Sequence, residues 1–182
     1  MDQGTEGLLS PWLRSRRLAA AVPLLRGRVL DVGCGAGALA QAVPPADYLG
    51  VEPDEASRRA AQHRWPLHRF VDEWPIDEPP FDTIALLAVI EHISAPAEWL
   101  QGLTASLASD GRLVLTTPHP AAERIHSLGS RIGLFSAHAA EEHESLLDRQ
   151  ALGRLAATAG LTVVGYRRFL GGLNQLCWMQ RA

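Results

Sequence analysis

The stretch Val29-Leu30-Asp31-Val32-Gly33-Cys34-Gly35-Ala36-Gly37-Ala38-Leu39-Ala40 decides how this chain is read. An apolar run carrying one acid passes into glycines at every second position, then into helix-forming residues. That pattern predicts a strand entering a helix through a turn too tight for side chains. Glycine supplies the backbone angles of such a turn and lets the main chain approach a ligand closely. The free N–H groups at the helix start would face that ligand. The next apolar run, Tyr48-Leu49-Gly50-Val51, ends in Glu52. In nucleotide sites an acid at this place takes the ribose hydroxyls. The two features predict a site for a nucleoside-bearing cofactor.

Working outward, strands and helices alternate. Ser10-Pro11 opens a first helix, with Ser10 as N-cap and Pro11 at its first position, running to about Val22 before Pro23. Strands are expected at 28–32, 48–51, 67–71, 81–87 and 112–116. Helices are expected at 36–43, at 54–63 with Asp54 as cap, and at 94–108, with Asp110-Gly111 a turn before the fifth strand. Alternation at this spacing means βαβ units, hence a parallel, doubly wound α/β sheet. Asp148 caps a last helix closed by Gly160. Two final strand-like runs, 161–170 and 173–180, are separated only by Gly171-Gly172, too little for a crossover, so they pair as an antiparallel hairpin. The segment from Thr117 to Leu147 is polar, irregular and long for a connector. It leaves the strand end where open α/β sheets place ligands, and is read as a substrate lid within one domain spanning 1–182.

Composition narrows the classes. With 182 residues and 47% hydrophobic content, the chain forms one globular domain and has little room for a second. No apolar run reaches membrane-spanning length, no signal-peptide pattern opens the chain, and cytoplasm is the expected location. A net charge of −3 gives no electrostatic footprint for nucleic acid. Cys34 and Cys177 make neither a disulfide framework nor a zinc site by themselves. All 17 Lys/Arg positions are Arg. That excludes a lysine Schiff base and the lysine of a P-loop.

Gly33-Cys34-Gly35-Ala36-Gly37-Ala38 also satisfies the dinucleotide fingerprint, with Ala38 for the last glycine. A nicotinamide oxidoreductase is disfavoured by the lack of room for a substrate domain and by the terminal hairpin. Asp31, two residues before the first glycine, is also placed to face a cationic group rather than a pyrophosphate. The 29–37 stretch resembles motif I of class I S-adenosylmethionine-dependent methyltransferases. Gly50-Val51-Glu52-Pro53-Asp54 resembles their ribose-binding second motif. Phe81-Asp82-Thr83-Ile84 through Val89-Ile90-Glu91-His92-Ile93 and Gly111-Arg112-Leu113-Val114-Leu115-Thr116-Thr117-Pro118 are similar to the fourth- and fifth-strand blocks of the small-molecule branch that includes ubiquinone and menaquinone biosynthesis enzymes. The resemblance implies a Rossmann-like seven-stranded sheet of order 3-2-1-4-5-7-6, with strand 7 antiparallel. It implies that Asp31 with Gly33, Gly35 and Gly37 holds the methionine end of S-adenosylmethionine, and that Glu52 takes the ribose. Asp72 would meet the adenine amine, Pro53 or Trp74 would cover the ring, and Leu87 and Ala88 would line the methionine moiety. Ala88 departs from the family, which often has a polar residue there.

Elsewhere in the chain, Cys34 reads as a buried inert thiol and Glu91-His92 as a pair that positions its loop. Arg17, with Trp12 and Leu13, can close over the cofactor from the first helix. His119, His126, His138 and His143 crowd the lid without a metal-binding spacing. His119 and His143 are the candidate general bases, because histidine titrates near neutral pH. The expected activity is methyl transfer to an O, N or C nucleophile of a small molecule, giving S-adenosylhomocysteine, without a metal, nucleic acid or membrane insertion. The competing readings are a silent S-adenosylmethionine-binding protein and the disfavoured NAD(P) enzyme.

Overall fold

Short apolar runs, covered on both faces, form the parallel strands of the sheet. The computed structural model describes residues 10–74, 77–122 and 147–182. In chain order the elements are α1 (Ser10–Ala21), β1 (Val29–Val32), β2 (Tyr48–Val51), α2 (Glu55–Arg64), β3 (Arg69–Val71), β4 (Phe81–Leu87), α3 (Pro96–Thr104), β5 (Leu107–Pro118), α4 (Arg149–Thr158), β6 (Leu161–Phe169) and β7 (Asn174–Arg181). The strands form one seven-stranded sheet in the order β3-β2-β1-β4-β5-β7-β6. Strands β1 to β5 pair in parallel, and β7 runs antiparallel to both β5 and β6. The glycine-linked hairpin therefore inserts its second arm beside β5.

Alternation along the strands divides the core. Leu30, Val32, Ile84, Leu86, Leu113, Leu115 and Met179 pack on one face under α3 and α4, with Leu100, Leu103 and Leu152. Val29, Tyr48 and Ala85 point the other way, onto Leu18, Leu39 and Val43. Ala20, Ala21, Val114 and Leu176 continue that second face. Two residues on from Val29, Asp31 belongs to the second face too, under α1.

The caps follow the sequence. Asp54 Oδ2 accepts from the Ser57 N–H at 2.8 Å and Asp148 Oδ1 from the Ala151 N–H at 2.8 Å. Gly160 takes φ +70 past the end of α4.

Four boundaries differ. The helix expected at 36–43 is a 3-10 turn over Ala38–Ala42. Gly37 enters it at φ +70 without a side-chain cap, and Pro44 ends it. So short a run cannot offset the cost of nucleating an α-helix. The Asp110-Gly111 turn lies inside β5, in a register shift where Phe81 pairs with Leu107 but Thr83 with Arg112. β5 therefore begins earlier than expected, and α3 stops at Thr104 to feed it. β3 is shortened to Arg69–Val71, leaving Leu67 82% exposed.

Candidate functional site

Glycines shape the turn after β1 in two different ways. Gly33 (φ +67) carries Val89, just beyond the end of β4, against it: a Cβ there would lie 2.7 Å from Val89 Cγ2. Gly35 (φ +52) faces open space, with nothing within 4 Å of the place a Cβ would take. Gly33 is demanded by packing, whereas Gly35 leaves a cradle beside the backbone. A cavity of about 800 Å³ runs past this turn, lined among others by Asp31, Gly33, Gly35, Arg17 and Leu87.

The helix N-terminus expected to face a ligand is not formed. Instead the turn's amides are bound within the protein. Gly33 and Cys34 donate to the Val51 carbonyl at 2.9 and 3.1 Å, and Gly37 to the Cys34 carbonyl at 3.0 Å. The Gly35 N–H donates to Glu52 Oε2 at 2.8 Å, while Glu52 Oε1 accepts from the Asp54 N–H at 2.9 Å. Glu52 thereby ties the end of β2 to the glycine turn. Each carboxylate oxygen keeps a lone pair for a ligand hydroxyl.

Asp31 is 3% exposed and accepts a hydrogen bond from the Tyr48 hydroxyl at 2.7 Å. Burial pushes its carboxyl up to about 7, against the pull of that bond and with a further push from the Glu52 charge. Cys34 is buried beside these two acids, and burial and their charges push its thiol up. A thiol so held is not a nucleophile. Across the cavity Arg17 reaches in from α1. Its Nε donates to Asn174 Oδ1 at 3.1 Å, burial lowers its pKa, and the charge of Glu91 raises it. An acid, a guanidinium and an open backbone cradle on one cavity can hold a ligand carrying both an ammonium and a carboxylate.

The other expected residues are placed unevenly. Leu87 lines the cavity. Ala88 stands at φ +61 and donates its N–H to the Thr116 carbonyl at 2.8 Å. Pro53 is exposed beside Glu52. Asp72 has a side chain 66% exposed, 3.7 Å from the Arg58 guanidinium, which also donates to the Glu52 carbonyl at 2.7 Å. Trp74 is not free to cover a ring: it packs against the main core and its indole N–H donates to Ser106 Oγ at 3.1 Å.

His119 leaves β5 with its N–H on the Leu173 carbonyl at 2.8 Å, and its Nδ1 accepts from the Ala121 N–H at 3.0 Å. The lone pair a base needs is thus engaged, Nε2 carries the hydrogen, and His119 is not among the cavity-lining residues. Burial and Arg168 lower its pKa, while Asp148 raises it. His126, His138 and His143 lie outside the described residues. Among the described residues no group of three or more His, Cys, Asp or Glu could hold a metal, and no helix is long and apolar enough to cross a membrane. The sequence places Arg17 on the first helix, able to close over the site, but its partner Asn174, 157 positions away, carries no sequence signal.

Comparison with known proteins agrees with this fold. Magnesium protoporphyrin IX methyltransferase from Synechocystis, solved with bound SAH, superposes with a TM-score of 0.69 at 18% identity, covering 100% of this chain and 90% of that one. A likeness at this identity concerns the fold. A tRNA U34 carboxymethyltransferase of Methylococcus capsulatus is 35% identical over 118 residues, 58% of this chain and 36% of that protein. A ubiquinone biosynthesis O-methyltransferase of Alkalilimnicola ehrlichii is 28% identical over 121 residues, 58% of this chain and 47% of that protein. The chain thus spans about a third to a half of the length of these relatives. Residues 8–166 match a family described as a methyltransferase domain. With that match, the glycine turn and the 3-2-1-4-5-7-6 sheet, the chain belongs to the methyltransferase-domain family, in the class I S-adenosylmethionine-dependent group.

Proposed function

We propose that the chain transfers the methyl group of S-adenosylmethionine to a small-molecule acceptor. The observation that carries this reading is the open cradle at Gly35, flanked by Glu52 on one side and by Asp31 and Arg17 on the other. Glu52 takes the ribose hydroxyls with the lone pairs its backbone bonds leave free. Asp31 takes the ammonium and Arg17 the carboxylate of the methionine end, with Leu87 and the Ala88 backbone beside it. When bound, the cofactor supplies an electrophilic methyl group, so the protein needs no nucleophile of its own. Its residues orient the partners and exclude water. Asp72 serves adenine only after exchanging its contact with Arg58, which makes it the weakest member of the set. The expected lid, 117–147, lies for the most part outside the described residues, which stop at 122 and resume at 147.

A second reading, a nucleic-acid acceptor, has two supporting observations. Arg14, Arg17 and Arg64 line the cavity, and one group of relatives is named for tRNA. The net charge of −3 runs against a nucleic-acid acceptor. Calorimetry with S-adenosylhomocysteine tests the site. Methyl transfer to a low-molecular-weight cell extract, compared with bulk tRNA, separates the two readings, and an inert protein that still binds the nucleoside would be a silent binder.

A further inference from the structure

One arginine near the start of α2 stands where helix electrostatics does not favour a cation. The N-terminal end of a helix carries partial positive charge and suits acids, and Asp54 and Glu55 are placed there accordingly. Arg58 lies one turn into α2, yet its side chain folds back over that end and is only 22% exposed. Its Nη1 donates to the Glu52 carbonyl at 2.7 Å and to the Pro53 carbonyl at 3.1 Å, while Nη2 lies 3.7 Å from Asp72 Oδ2. The next residue shows the usual alternative: Arg59, largely exposed, pairs with Glu55 on the same helix.

The contacts of Arg58 close a circuit across the tips of β2 and β3. The Glu52 N–H donates to the Val71 carbonyl at 2.9 Å. Asp72 follows Val71 and faces Arg58, and Arg58 returns to the Glu52 carbonyl. The main chain of Glu52 is therefore held on both sides, while its carboxylate is aimed by the Gly35 and Asp54 amides. A flat guanidinium with five donors spans such a set, where an ammonium is a single point charge. The contacts are unequal. A pair as exposed as Arg58–Asp72 is weak, whereas hydrogen bonds from a charged donor are strong. Asp72 can leave for a ligand while Arg58 stays on the Glu52 and Pro53 carbonyls.

We propose that Arg58 is a positioning residue for the adenosine half of the cofactor. It fixes the main chain from which the Glu52 carboxylate meets the ribose hydroxyls, and it keeps Asp72 beside the site until the base arrives. The inference rests on the methyl-transfer reading and adds to it a residue that acts through Glu52 rather than on the reacting atoms.

The test titrates the full chain calorimetrically with S-adenosylhomocysteine and with its analogue lacking both ribose hydroxyls. Arg58→Met should weaken S-adenosylhomocysteine by about tenfold, the scale of a lost hydrogen bond to a charged group. The same substitution should change the affinity of the dideoxy analogue by no more than about twofold, and should likewise add no more than about twofold on a Glu52→Ala background, because the two residues act as one unit. A merely structural arginine would cost the same factor with either ligand and on either background. Arg58→Lys keeps the charge but cannot span both carbonyls, so it too should bind more weakly than the wild type. It carries the same comparisons if Arg58→Met does not fold. Arg59→Met should leave binding unchanged. If the wild type does not bind S-adenosylhomocysteine, the methyl-transfer reading falls and this inference with it. If the wild type binds but Arg58→Met or Arg58→Lys binds equally well, or the loss is the same without the ribose hydroxyls or without Glu52, the positioning role alone is overturned.

Discussion

Two ends of the same sheet edge treat their polar groups in opposite ways. At β1 and β2 both acids are engaged: Asp31 by the Tyr48 hydroxyl, Glu52 by two backbone N–H groups. At β4 and β5, Glu91 Oε2 and the hydroxyls of Thr116 and Thr117 are buried without partners. The first end is organised before any ligand arrives, and its free capacity is one lone pair per oxygen and the space beside Gly35. At the second end the polar oxygens are sealed among core side chains, so the groups organised to face the cavity are those of β1 and β2.

The contrast can be broken most strongly at the cradle. Gly35→Val fills the open space while touching nothing in the fold. Nucleoside affinity should fall by at least about a hundredfold, with only a modest loss of melting temperature from the left-handed backbone. Gly33→Val should do the reverse of this separation, lowering stability outright, because its Cβ would meet Val89. Calorimetry and thermal melts on the pair distinguish a ligand cradle from a packing glycine. Equal loss of stability in both would remove the distinction.

Glu52→Ala comes next. It loses hydrogen bonds to a charged acceptor, a cost of about 1.5–3 kcal/mol, so binding should weaken roughly ten- to a hundredfold. The melting temperature should also drop, since the Gly35 and Asp54 amides lose their partner. Unchanged affinity would move the ribose contact elsewhere.

Asp31 gives the pH dependence. Its carboxyl, ordinarily near 3.8, is raised to about 7 in the free protein. The folded state therefore holds a proton that the unfolded chain has released. The contribution of this group to stability falls as pH rises from about 4 to about 7, then levels off. Ligand binding has the opposite preference, because an ammonium pairs with the ionised acid. Below pH 7 affinity should fall by up to about tenfold per unit, with proton uptake by the buffer on binding. Asp31→Asn should flatten both profiles, and a pH-independent affinity in the wild type would contradict the assignment.

How much of this was legible in the sequence follows from how local each feature is. The glycine spacing, the caps at Asp54 and Asp148 and the Gly171-Gly172 hairpin are each decided within a few residues. The hairpin in turn places β7 antiparallel beside β5. The 3-10 turn after Gly37 is not legible in periodicity, which ignores how few residues separate Gly37 from Pro44. Of the two residues expected to cover the ring, Pro53 or Trp74, Trp74 packs into the core, since a loop tryptophan carries no sign of the Ser106 hydroxyl waiting for it. The Arg17–Asn174 contact and the burial of Glu91 depend on packing between distant elements, which one sequence does not display.

The smallest effect is expected at His119. With Nδ1 engaged by Ala121 and His119 not among the residues lining the cavity, His119→Ala should change turnover by less than about tenfold, below the range of a lost general base. A hundredfold loss with unchanged cofactor affinity would restore it as the base.

The central claim, that the edge built around Gly35 and Glu52 binds the sulfonium nucleoside, is tested most directly by titrating the chain with S-adenosylhomocysteine at pH 8, where Asp31 is ionised. The account predicts one site with a dissociation constant in the micromolar range, roughly −7 to −8 kcal/mol, lost in Gly35→Val. Absence of binding at millimolar ligand, or tight binding of NAD in its place, would contradict it.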